Sequence, residues 1–181
     1  MVTWIALLRG INVGGRNILP MKELAALLLE LGLEDVKTYI QSGNVVFRSS
    51  SEEKRHLANR IATAVEKSFG FRIQILLISK VEFQQAIEEN PFPGTIDNPK
   101  ALHFFFLAES PDAPNLAALN DIKLADEEFV LARCTFYLHA PQGVGRSKLA
   151  QRVEKLLGVP VTARNWRTVC KIAAMAQDFD R

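Results

Sequence analysis

The chain is poor in the residues that mark specialised chemistry. It has 2 cysteines and 3 histidines in 181 residues. Cys134 and Cys170 lack metal-ligand spacing and fall in an expected strand and an expected helix, so they read as buried free thiols. There is no H-E-x-x-H, no G-x-S-x-G and no acidic pair with evident metal spacing, so neither a metal nor a cofactor is expected. No apolar run approaches the length that spans a bilayer, and no basic region precedes the short apolar start, so neither membrane nor signal peptide is expected and a cytoplasmic location follows by default. The net charge of +2 is too small to argue for nucleic acid by itself.

What remains is ordinary globular composition, 48% hydrophobic and 23% charged, with the charge unevenly spread. Residues 1–99 carry 11 basic and 11 acidic side chains, 100–140 carry 3 and 6, and 141–181 carry 8 and 3. The last segment is the basic one.

The hydrophobic periods divide the chain into two similar halves. Thr3 to Leu8 is apolar without alternation, as a central strand covered on both faces would be. A loop follows with Arg9, Gly10, Asn12, Gly14, Gly15 and Asn17, and Pro20 marks the first turn of a helix. Leu24, Leu27, Leu28 and Leu31 give that helix its apolar face, and Gly32 ends it. Val36 to Ile40 and Val45 to Arg48 form a hairpin around Gln41-Ser42-Gly43-Asn44. Ser49 and Ser50 each precede a glutamate by three residues, a capping-box pattern. The next helix buries Leu57, Ile61, Val65 and Phe69, and Ile73 to Ile78 closes the unit.

Ser79-Lys80-Val81-Glu82 is a second capping box. It starts a connecting helix, and the proline-rich stretch Pro91 to Pro99 reads as a linker. The order then repeats. Leu102 to Leu107 is a strand, Asn115 to Asn120 a short helix, and Phe129 to Ala132 with Thr135 to His139 a hairpin. Ser147 to Leu157 is a helix, Val159 to Thr162 a strand, and Arg164 onward a final helix. The predicted fold is α+β, a tandem duplication of a ferredoxin-like βαββαβ unit with mainly antiparallel sheets and an extra C-terminal helix. Its expected divisions are 1–79, a connecting 80–99, and 100–181.

Two clusters are candidate sites. In this topology the first two strands of a unit finish at one edge, which would gather Arg9, Asn12, Asn17, Gln41, Ser42 and Asn44 around the Gly14-Gly15 loop. The third and fourth strands of the second unit also finish together. That would set Gly145, Arg146, Ser147 and Lys148 beside Thr162, Arg164, Asn165, Trp166, Arg167 and Thr168, a group suited to phosphate. The competing reading is local chemistry. Glycine and asparagine serve any tight strand-to-helix turn, Asn165 can cap a helix, and Trp166 can pack on the core. Among the histidines only His139, near the second cluster, invites a chemical test.

The segments ALLRGINVGGRNILPMKEL, YIQSGNVVF, GVGRSKL and TARNWRTV together resemble the domain of unknown function 1697 family of small, mainly bacterial proteins. The resemblance runs from Ile5 almost to Ala176. It implies tandem ferredoxin-like units and brings no activity, substrate or cofactor; His139 belongs to none of its motifs. Three functions therefore stand side by side. The first is a binding protein for a phosphate-bearing small molecule or nucleic acid, although Val45 to Arg48 offers only Phe47 for base stacking. The second is a small-metabolite enzyme with Arg9 and Arg164 as anchors, and the third a regulatory or assembly module.

Overall fold

The computed structural model describes residues 1–50, 53–95 and 98–180. In the first half, strand β1 (Val2–Arg9) leads through the glycine-rich loop to helix α1 (Met21–Glu30). Strands β2 (Glu34–Tyr39) and β3 (Asn44–Ser49) follow, then helix α2 (Lys54–Phe69) and strand β4 (Gln74–Ser79). The sheet order is β2-β3-β1-β4 with every pairing antiparallel, the ferredoxin-like arrangement. The second half repeats it. Helix α3 (Lys80–Glu88) leads to β5 (Leu102–Leu107), α4 (Leu116–Ile122), β6 (Glu128–Ala132), β7 (Thr135–His139), α5 (Lys148–Leu157), β8 (Val161–Asn165) and α6 (Trp166–Gln177). Its sheet order is β6-β7-β5-β8.

Central position explains the unbroken apolar strands. β1 lies between β3 and β4 and is buried on both faces. Trp4, Ala6 and Leu8 join the core with Leu24, Leu28, Leu57, Ile61 and Val65 of α1 and α2, while Ile5 and Leu7 are buried on the other side. In the second sheet Phe105 and Leu107 of β5 pack with Phe136, Leu138, Leu149, Val153 and Leu157. On the opposite face Phe104 meets Tyr137 edge-on at 4.8 Å, and the Tyr137 hydroxyl donates to Ala86 O at 2.7 Å.

Two compact units result, 1–85 with 171–181, and 86–170. The divisions drawn from the sequence cut the chain elsewhere, because the later part of α6 belongs with the first unit. There Asp178 pairs with Lys37 at 3.1 Å. Among the described residues no helix is long and apolar enough to cross a membrane.

Several local expectations change. Cys134 and Cys170 are both exposed rather than buried. Cys134 lies in the two-residue turn between β6 and β7, and Cys170 lies on the outer side of α6 beside the buried Val169. The Ser50 capping box does not form, since Glu53 itself is the N-cap of α2 and accepts from the Arg55 and His56 N–H groups. The Ser49 pattern reaches to Glu52, outside the described residues. Pro20 occupies the N-cap of α1 rather than its first turn.

The Ser79 capping box does form. Ser79 N–H donates to Glu82 at 2.8 Å and Glu82 N–H donates to the Ser79 hydroxyl at 3.2 Å. Burial by itself would raise the Glu82 pKa. The Ser79 bonds and Lys54 outweigh it and hold the carboxyl below its ordinary value. Ser79→Ala is expected to cost about 1 kcal/mol in urea unfolding at neutral pH. Because the folded pKa is depressed, the contribution of Glu82 is present above the ordinary carboxylate value and disappears as pH falls through the lower folded one.

Candidate functional site

β1 ends at Arg9, and Gly10 turns the chain at φ +74°. Val13 and Arg16 then form an isolated antiparallel bridge, closed by Arg16 N–H to Val13 O at 3.0 Å, with Gly14 and Gly15 both at positive φ. This is a type I′ turn, for which a Gly-Gly pair is among the favoured sequences. The loop is therefore a miniature hairpin with Gly14 and Gly15 at its tip.

The asparagines build this hairpin. Asn12 sits at φ +53°, and its Oδ1 accepts from Leu19 N–H at 2.8 Å. Its Nδ2 donates to Leu19 O and to Gln41 O, each at 2.9 Å, so one amide joins three backbone segments. Asn17 donates to Gly10 O at 2.8 Å. Asn44 is buried and donates to Tyr39 O and to the Ser42 hydroxyl. Leu8 N–H donates to Gly43 O at 2.8 Å. The two loops do meet at the sheet edge, but Asn12, Asn17 and Asn44 use their amide donors on the chain itself. What is turned outward is Arg16, Gln41, Ser42 and the backbone of Gly14 and Gly15, with Arg9 half-buried behind.

Sequence reading passed over three side chains here. Val13, Ile18 and Ile40 are 68%, 57% and 52% exposed. Only the Val-Gly-Gly-Arg turn signal in the sequence pointed to an exposed tip.

The second cluster is divided between the two faces of its sheet. Ser147 is buried and caps α5, accepting from Ala150 N–H at 2.9 Å. The loop before it is tied to the β6 side, where Gln142 Nε2 donates to Asp126 at 2.9 Å. β8 extends to Asn165, past the Thr162 end read from the sequence, because it pairs with β5 as far as His103↔Asn165. Side chains alternate along a strand. Phe105, paired with Ala163, and Val161 face the core that holds α5. Thr162 and Arg164, paired with Phe106 and Phe104, therefore lie on the other face of the sheet from Ser147. Trp166 packs 5.4 Å from Phe104, and Asn165 accepts from Thr168 N–H at 3.0 Å. Arg164 donates to Ala163 O, and burial pulls its pKa down to about 10. Gly145 and Arg146 stay exposed in their own loop, and Lys148 is exposed at the first position of α5.

His103 and His139 are placed as packing groups, while His56 is exposed on α2. The His139 ring lies 5.9 Å from that of Phe92. His103 is pushed down to about 4 by burial, so it is neutral at physiological pH. Among the described residues no three His, Cys, Asp or Glu side chains gather as metal ligands would.

Fold and site together define a class: tandem ferredoxin-like proteins whose central-strand loop is braced to the neighbouring hairpin. Residues 1–137 match the family described as Protein of unknown function (DUF1697), and the chain belongs to that family. It is similar in structure to a conserved bacterial protein, SP0830, from Streptococcus pneumoniae, with 28% sequence identity and a TM-score of 0.76. That likeness covers 97% of this chain and 98% of the other. No curated protein matches.

Two measurements check this geometry. A Cβ at Gly43 would lie 2.6 Å from Leu8 Cβ at a φ of +73°, whereas one at Gly14 meets nothing within 4 Å. Gly43→Ala is expected to destabilise by about 3 kcal/mol, from overpacking plus left-handed strain, and Gly14→Ala by about 1 kcal/mol, from strain alone. The second concerns His103. Its folded pKa lies below the unfolded value, so the unfolded state takes up the extra proton and stability falls as pH drops from about 6.5 toward 4. Denaturation midpoints across that window should flatten in His103→Gln.

Proposed function

We propose that the protein binds a phosphate-bearing ligand, nucleic acid included, at the loop end of its first unit. The observation that carries this reading is the outward Arg16 on a hairpin fixed by Asn12, at an end of the unit poor in carboxylates. There is no acidic residue from Met1 to Lys22, nor from Val36 to Ser51. By the sheet register, β1 and β2 finish at this end while β4 begins there, Arg9 standing opposite Gln74. Helix α1 therefore starts at this end and α2 finishes at it. Arg9, Arg16, Lys22, Lys67 and Arg72 gather there against Glu23 and Glu66, and Glu66 is occupied by Arg72 at 2.9 Å. A surplus of cations on fixed backbone draws an anion without costly ordering of the loop.

The corresponding case for the loop of the second unit is weaker. Asp126 is held against Gln142, and the buried Glu127 sits in the same turn, accepting from Leu124 N–H. Carboxylates beside that loop oppose an anion.

Fluorescence anisotropy with labelled mixed-sequence RNA and DNA tests the reading. Binding is expected to weaken as salt rises. Arg16→Ala should reduce affinity about fivefold or more at low salt and make the salt slope shallower by about one ion. Lys148→Ala should leave both unchanged. Salt-insensitive binding, or an Arg16→Ala variant that binds like the parent, defeats the proposal.

A further inference from the structure

Each residue of the Asn12 junction has an exposed aliphatic neighbour. Val13 follows Asn12, Ile18 precedes Leu19, and Ile40 precedes Gln41. The bonds from Asn12 to Leu19 and Gln41 hold the backbone beside all three together, each residue a single Cα step of about 3.8 Å from the junction. All are β-branched and more than half exposed.

Ile40 carries the argument furthest. It has φ +49°, a left-handed conformation that a β-branched residue adopts only at a cost of about 1–3 kcal/mol. Glycine or asparagine would fit the same turn with less strain. A side chain left 52% exposed recovers little of that cost by packing within the chain. An apolar group kept under strain at the surface is explained by contact with something outside it.

Resting on the reading above, we infer that the ligand is single-stranded nucleic acid, its phosphates on Arg16 and Lys22 and its base and sugar faces on Val13, Ile18 and Ile40. A free phosphate has nothing to lay on three aliphatic side chains. A duplex presents phosphates outward and keeps its base faces stacked inside. An unpaired strand offers charge and apolar faces together, and supplies the negative charge this cationic end lacks. Residues 13–18 are all exposed, so the tip suits a strand draped over it rather than a small molecule enclosed in a pocket.

The experiment compares a labelled single-stranded RNA of mixed sequence with its own duplex, in the full-length protein. Orthophosphate and polyglutamate serve as competitors. The variants are Arg16→Ala, the double Val13→Ser with Ile18→Ser, and Ile40→Gly, the last of which relieves strain and keeps the turn. Both apolar variants are expected to weaken single-strand binding at least fivefold and to change duplex binding less than twofold. Arg16→Ala should weaken both. Equal affinity for strand and duplex, or apolar variants that leave strand binding unchanged, overturns the inference while the loss in Arg16→Ala still supports a phosphate-bearing ligand. Polyglutamate displacing the strand as readily as unlabelled RNA also overturns it, pointing to an acidic protein segment. No binding to any phosphate-bearing probe defeats inference and reading together.

Discussion

One side-chain amide holds the candidate site in shape. Asn12 presents an acceptor and two donor hydrogens, as a short piece of strand would, and spends them on Leu19 and Gln41. Loops far apart in sequence are thereby made one body. The bond from Leu8 N–H to Gly43 O adds a second tie, possible only because Gly43 has no side chain where Leu8 and Ile11 pass. Each such bond contributes only about 1 kcal/mol net, yet together they hold three residues other than glycine, Asn12, Asn17 and Ile40, at positive φ. Lost bonds here would free the hairpin before they unfolded the sheet, since the core beneath rests on other contacts.

The fold was legible because it rests on period. Strands β5 and β7 begin and end where the apolar runs do, and α1 and α2 bury the leucine, isoleucine and valine stripes that the 3.6 spacing marks. The meeting of the first loop with the hairpin was legible from topology alone. The direction of the asparagines was not. An amide serves a ligand or its own backbone with the same groups, and sequence does not say which neighbour lies within 3 Å.

Parity caused the larger error. That β7 and β8 finish at one edge of the second sheet follows from strand order. Which face Arg164 takes depends on where β8 pairs, and the strand runs three residues beyond the end inferred from its apolar residues. Ala163-Arg164-Asn165, with no large apolar side chain, continues the ladder because β5 offers it partners, a tertiary effect that local pattern does not contain. Cys134 is a similar case. Its neighbours are strand-like, yet Arg133 at φ +50° makes it part of a two-residue turn.

The two units show how far fold and site are separable. Leu107 N–H donates to Cys134 O at 2.9 Å, the counterpart of Leu8 and Gly43, so both central strands end against their hairpin turn in the same way. The loops leaving those strands differ in charge. Residues 9–20 carry Arg9 and Arg16 with no acid, whereas residues 108–115 carry Glu109 and Asp112 with no base. The strand-exit loop is thus cationic in one unit and anionic in the other on an equivalent frame, although Arg133 stands in the hairpin turn of the second. The shared topology presents the same edge twice, so what distinguishes the two ends lies in the chemistry of their loops.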